Sequence, residues 1–113
     1  MIHLNIGSNI NSKFGDRFQN ISIAINLLIN SEIKIIRISN FYETPSYPNK
    51  NLPNFLNVGL SVNFSYNETR LLKKINLIEK KIGRIKSKKN DSRVCDIDII
   101  DFNGLIVDKN NLK

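Results

Sequence analysis

The stretch Arg93-Val94-Cys95-Asp96-Ile97-Asp98-Ile99-Ile100 sets two carboxylates at alternate positions of an apolar, β-branched run. Such a run favours a strand, where successive side chains point to opposite faces. Asp96 and Asp98 then share one face, and Cys95, Ile97 and Ile99 turn into a core. Their Cα atoms lie about 6.5–7 Å apart at the rise of a strand, so both carboxylates can reach one or two hard cations. The residues just before are basic: Arg84, Lys86, Lys88, Lys89 and Arg93. Carboxylates suited to Mg²⁺, beside cations suited to phosphate, point to chemistry on a nucleotide. Either feature alone has a blander reading, a polar strand face or a solvated charge run.

The elements that must position these groups follow from periodicity. Ile2 to Ile6 alternates apolar and polar and is predicted to be a first strand, ended by the turn residues Gly7-Ser8-Asn9. Gly15-Asp16 opens a helix, with Asp16 as N-cap, a stripe of Phe18, Ile21, Ile25 and Leu28, and a stop near Asn30-Ser31. Ile33 to Tyr42 is predicted to be a second strand. Its apolar phase shifts between Ile35 and Ile36, which predicts a bulge or bend. Pro45, Pro48 and Pro53 enforce a long loop, because proline cannot donate to a sheet ladder. In the third strand Leu56, Val58, Leu60, Val62 and Phe64 alternate with Phe55, Asn57, Gly59, Ser61 and Asn63. Asn67 is expected to cap a second helix whose buried stripe is Leu71, Leu72, Ile75, Ile78 and Ile82, ended by Gly83. After the Asp-Ile-Asp strand, Asn103-Gly104 signals a hairpin with a short return strand over Leu105 to Val107.

The order β-α-β-β-α-β predicts an α+β, ferredoxin-like sandwich: an antiparallel sheet with two helices on one face and a short extra C-terminal strand. Phe55, Asn57, Asp96 and Asp98 fall by parity on the uncovered face.

The whole chain sets the bounds. At 113 residues and 41% apolar composition it is expected to be a single domain, residues 1–113. The lone Cys95 excludes an internal disulfide. No apolar run is long enough to span a membrane and no signal peptide is visible, so a cytoplasmic location is expected. The net charge of +7 suits an anionic partner.

Together the motifs resemble the 6-hydroxymethyl-7,8-dihydropterin pyrophosphokinases of folate biosynthesis. The resemblance runs from about Ile2 to Val107. It is carried in order by Ile6-Gly7-Ser8-Asn9, by Phe41-Tyr42-Glu43-Thr44-Pro45 and Pro53-Asn54-Phe55-Leu56-Asn57, and by Glu79, Gly83-Arg84, Arg93 and Asp96-Ile97-Asp98-Ile99. It implies Mg²⁺-dependent transfer of the terminal diphosphate of ATP to the hydroxymethyl oxygen of the pterin, with AMP leaving. It further implies two Mg²⁺ ions on Asp96 and Asp98, and phosphate contacts from Arg84, Arg93 and Lys86. Leu72, Asn76, Glu79 and Ile99 would bind ATP. Thr44, Pro45, Tyr47, Phe55 and Asn57 would bind the pterin. Small-molecule partners, no nucleic acid, no membrane and a monomeric state are expected.

The chain departs from the family in places. Asn90-Asp91-Ser92 stands where an aromatic-Gly-Pro run is common, Lys86 where a second loop arginine is, and Phe55 where a tyrosine is. Family members continue beyond the position of Lys113 with groups that help hold ATP and cover the pterin. The chain is therefore expected to be C-terminally short, with weak turnover and partly retained Mg²⁺-nucleotide binding. The main rival is a small basic RNA-binding module of the same fold, which would need base-stacking aromatics on its central strands. The first strand has none, and the third offers only Phe55 to the open face. A catalytically inactive family member is the other alternative, against which the two aspartates and two arginines argue.

Overall fold

A computed structural model describes residues 1–46, 51–83 and 93–104. The elements are β1 (Ile2–Ser8), α1 (Arg17–Ile29), β2 (Lys34–Ile38), β3 (Tyr42–Thr44), β4 (Phe55–Asn63), α2 (Glu68–Ile82) and β5 (Asp96–Phe102). The sheet is antiparallel, ordered β2-β4-β1-β5, with β3 also paired to β4. That is the ferredoxin-like order, with the second strand of the pattern divided in two. The expected return strand over residues 105–107 lies outside the described residues. Its turn is described, and Asn103 (φ 53°) and Gly104 (φ 91°) both take the positive φ that a tight hairpin turn requires.

Both helices start and stop on local chemistry. The Asp16 carboxylate accepts the Gln19 N–H at 2.9 Å, and the Gln19 side chain accepts the Asp16 N–H at 2.8 Å, a reciprocal capping box. Asn67 accepts the Arg70 N–H at 3.0 Å, Glu68 favours the first-turn dipole, and Gly83 ends α2 at φ 114°. Ile21, Ala24 and Leu28 of α1 and Leu71, Ile75, Ile78 and Ile82 of α2 meet the inward residues of β1, β4 and β5 in one core. Both helices therefore cover the same face of the sheet. The other face carries His3, Asn5 and Gly7 of β1, Phe55, Asn57, Gly59 and Ser61 of β4, and Asp96 and Asp98 of β5.

Two expectations are corrected. The second strand is not continuous over 33–42. At Ser39 the side chain takes over a ladder position: its hydroxyl accepts the Gly59 N–H at 2.8 Å while its N–H donates to the Gly59 carbonyl at 2.8 Å. Pairing to β4 resumes only at Tyr42. The irregularity expected near Ile36 is present as a register shift between Ile35 and Arg37. Phe18 does not join the core stripe of α1. It is 54% exposed and packs on Phe41 with ring centroids 5.1 Å apart. At about 100° per residue it falls to one side of the Ile21–Ala24–Leu28 stripe.

A second irregularity shapes β5. Leu4 pairs with Ile99 and His3 with Asp101, so Ile100 is the extra residue, and it is exposed. Phe102 thereby returns to the core. No helix among the described residues is long and apolar enough to cross a membrane.

Candidate functional site

Register places the acidic pair and the Asn57 region side by side. Gly7 of β1 pairs with Asn57 of β4 on one side and with Asp96 of β5 on the other. Asn5 likewise pairs with Gly59 and with Asp98. Asp96 and Asp98 are half-buried and face the uncovered surface, as their spacing requires. Glycine at position 7 leaves room for this row. A Cβ there would meet Asn57 Oδ1 at 2.9 Å and the Phe55 ring at 3.3 Å.

A chain of hydrogen bonds orients the Asn57 amide. Tyr42 donates its hydroxyl to Asn5 Oδ1 at 2.7 Å, Asn5 Nδ2 donates to Asn57 Oδ1 at 3.3 Å, and Asn57 Nδ2 donates to Thr44 Oγ1 at 2.8 Å. Four residues from three strands thus hold one amide in one orientation, next to Phe55 at the start of β4. Each end of a primary amide can make two hydrogen bonds: Asn57 Nδ2 spans Thr44 Oγ1 and, at 3.5 Å, the Phe55 carbonyl, whereas Oδ1 accepts one bond from Asn5 and can accept a second. Asn5 is not marked by the sequence, and Tyr42 falls within the Phe41–Pro45 motif without a role of its own. Nothing in their spacing predicts the contact between them, because it depends on β3 and β1 both pairing with β4 in register.

Beneath the acidic pair, Glu79 of α2 is 1% exposed, and its Oε2 accepts the Ile97 N–H at 2.8 Å. Its carboxylate is directed at the backbone between Asp96 and Asp98. Leu72 and Ile99, expected at an ATP site together with Glu79, are both in the core cluster, whereas Asn76 is exposed on α2.

Asn9 was part of a quoted motif but had no role assigned from the sequence. It is 2% exposed and joins three segments. Its Nδ2 donates to Ser46 Oγ at 3.0 Å and to the Pro53 carbonyl at 3.1 Å, and its Oδ1 accepts the Arg93 N–H at 2.6 Å. Its own N–H donates to the Arg93 carbonyl at 3.0 Å. Arg93 is thereby fixed by its backbone at the entry to β5. From the other side, Arg17 of α1 reaches Glu43 at 2.7 Å and the Asn54 carbonyl at 3.0 Å, clipping β3 to the approach to β4.

The structure brings together Thr44, Phe55, Asn57, Asp96 and Asp98 on one sheet face, with Arg93 at its end and Pro45 exposed just beyond β3. Tyr47, Arg84 and Lys86 lie outside the described residues. Among the described residues no cluster of three or more acidic, histidine or cysteine side chains is present. Two carboxylates fit Mg²⁺, which binds through one or two of them and takes its other oxygens from phosphate and water. They do not make a cage for a metal without a phosphate partner.

The chain matches the 7,8-dihydro-6-hydroxymethylpterin-pyrophosphokinase family over residues 3–113. It is 35% identical over 112 residues to the 2-amino-4-hydroxy-6-hydroxymethyldihydropteridine pyrophosphokinase of Aquifex aeolicus, covering 99% of this chain and 67% of that one. To the protein of the same name from Bacillus subtilis it is 30% identical over 102 residues, 89% of this chain and 59% of that one. To the Folic acid synthesis protein FOL1 of Dictyostelium discoideum it is 34% identical over 113 residues, 100% of this chain. The chain spans only 16% of that larger protein. The RNA-binding alternative is not favoured by these likenesses. The chain belongs to the 7,8-dihydro-6-hydroxymethylpterin-pyrophosphokinase family.

Proposed function

We propose that this chain transfers the terminal diphosphate of ATP to the hydroxymethyl oxygen of 6-hydroxymethyl-7,8-dihydropterin. The oxygen forms a bond to the β-phosphorus, the bond from that phosphorus to the α,β-bridging oxygen breaks, AMP leaves, and the hydroxyl proton passes to water. The observation that carries the reading is the row Asn57–Gly7–Asp96, which sets a planar recognition edge beside an acidic pair on one open face.

In this reading Asn57 hydrogen-bonds the amide-like edge of the pterin, Phe55 stacks on its ring, and Thr44, Pro45 and Tyr47 line the loop side. Asp96 and Asp98 hold two Mg²⁺ ions against the phosphates. Bound there, the metal neutralises charge on the phosphate oxygens and aligns attacking and leaving groups. Arg93, with Arg84 and Lys86 from the basic stretch, binds phosphate oxygens; the arginines do so with planar forks that a lysine lacks. Asn76 meets the nucleotide base, with Leu72 and Ile99 as the apolar floor behind it. Glu79 holds the β5 backbone in place. Little covalent work is asked of the protein, so positioning and electrostatics carry the rate. The chain is taken to act as a cytoplasmic monomer.

The test is release of AMP from MgATP with and without the hydroxymethyl pterin. AMP is expected only when both pterin and Mg²⁺ are present, with a rate lowered about 100-fold or more in Asp98→Ala. AMP release that ignores the pterin, or none at all from a protein that binds both ligands, would overturn the reading in favour of an inactive family member.

A further inference from the structure

Tyr42, Asn5, Asn57 and Thr44 form a line of hydrogen bonds with a hydroxyl at each end. A hydroxyl can donate or accept, so such a line can run in two directions. In one, Tyr42 donates to Asn5, Asn5 Nδ2 to Asn57 Oδ1, and Asn57 Nδ2 to Thr44. In the other, Thr44 donates, both amides are turned over, and Tyr42 accepts. Either direction fills the same three bonds. They differ in what Asn57 offers a ligand: a spare lone pair on its oxygen in the first, a spare N–H in the second.

The partners of an amide fix its direction, and both ends of this line select the first. A phenol donates more strongly and accepts more weakly than an aliphatic hydroxyl, so Tyr42 belongs at the donating end, 2.7 Å from Asn5 Oδ1. At the other end the Phe55 carbonyl, which can only accept, lies 3.5 Å from Asn57 Nδ2. Turning that amide over would set oxygen toward oxygen. The Asn57 oxygen is approached across Gly7, where a Cβ would stand 2.9 Å from it. Asn57 itself is buried, so a ligand atom of the wrong polarity against it would find no water in compensation.

We propose that Asn5 and Tyr42 are positioning residues that determine specificity: they set the polarity of Asn57 so that it accepts from the ligand, and the ring selected must present an N–H there. A pterin does so at its lactam nitrogen. A 2,4-diaminopteridine has the same ring system but presents a bare nitrogen in that place. This deepens the diphosphotransferase reading and rests on it. Asn5 and Tyr42 act through Asn57 and need not touch the ligand themselves.

The experiment is calorimetry of 6-hydroxymethylpterin against 2,4-diamino-6-hydroxymethylpteridine at neutral pH, with a non-hydrolysable ATP analogue and Mg²⁺ present throughout. The wild type is expected to prefer the pterin by about tenfold or more, the scale of one mismatched buried polar contact. Asn5→Asp is nearly isosteric but can only accept, so the Asn57 amide must turn its N–H toward position 5. The preference is then expected to fall below about 3-fold or to invert. Asn5→Ala removes the director without adding a charge beside Asp98, its partner in register, and Tyr42→Phe removes the donor that orients Asn5. Each is expected to lower the preference about 3-fold or more, through weaker pterin binding. These two decide the matter should Asn5→Asp lose its cooperative thermal transition. A residue that only supports the fold would weaken both pteridines alike and leave their ratio unchanged. An unchanged ratio in the variants, or a wild type that binds both pteridines equally, would overturn the role of Asn5 and Tyr42 and leave the reaction assignment standing. A wild type that binds neither pteridine would overturn the reaction assignment itself.

Discussion

The Glu79 carboxylate accepts the Ile97 N–H at 2.8 Å from the core side of the sheet, and Ile97 lies between Asp96 and Asp98 on the chain. The acidic pair on the open face is thus pinned through the backbone by a buried acid on the covered face. Glu79→Ala is expected to cost about 1–3 kcal/mol, because it strips a buried N–H of its acceptor. It is also expected to raise the Mg²⁺ concentration needed for nucleotide binding, with Glu79→Gln, which keeps an acceptor oxygen, much closer to wild type. Urea unfolding and a Mg²⁺ titration check the two parts. A loss of stability with no change in Mg²⁺ requirement would confine Glu79 to the core.

Gly7 is a place where a single methyl should separate the two ligand sites. Its Cβ would press on Asn57 Oδ1 at 2.9 Å and on Phe55 at 3.3 Å. Gly7→Ala is expected to weaken pterin binding about tenfold, the scale of one misplaced polar contact. MgATP-analogue binding should change little. Calorimetry with each ligand separates the effects, and equal losses for both would contradict the assignment of Asn57 to the pterin.

Tyr42 acts at the far end of the amide chain. Tyr42→Phe removes the 2.7 Å bond to Asn5 and leaves the ring. A loss of about 0.5–1.5 kcal/mol in pterin binding is expected, close to the net worth of one hydrogen bond, that is a few-fold to about tenfold in Kd. Unchanged affinity would mean that Asn5 and Thr44 orient Asn57 without the Tyr42 hydroxyl.

Asp16 offers a contrast, since its capping box serves α1 and touches none of the site. Asp16→Ala is expected to lower stability by about 0.5–2 kcal/mol with ligand affinities unchanged. Chemical denaturation and calorimetry on the same sample check it.

The sequence made local features legible and left cross-strand ones hidden. Both helix caps, the αL stop at Gly83, the alternation of β4 and the common face of Asp96 and Asp98 follow from periodicity and capping chemistry that operate within a few residues. The irregularity near Ile36 showed as a slip in apolar phase. The break at Ser39 did not, because it depends on a serine hydroxyl meeting Gly59 twenty positions away. The contacts of Asn5, Asn9 and Tyr42 were hidden for the same reason, although Asn9 and Tyr42 lie in recognisable motifs. Their partners lie 52, 84 and 37 residues away in the chain, and polar residues at strand ends look the same whether solvated or bonded. Glu79 was visible as a motif residue, but whether its carboxylate faced ligand or backbone required the packing of α2 on β5.

The central claim is that Asp96 and Asp98 bind Mg²⁺ together with a polyphosphate. Its most direct measurement is calorimetry of a non-hydrolysable ATP analogue with Mg²⁺, in the wild type, in Asp96→Ala and in Asp98→Ala. Binding is expected to require Mg²⁺ in the wild type and to weaken about 10–100-fold in each variant. Nucleotide binding that is indifferent to Mg²⁺, or that survives intact in both variants, would contradict the account.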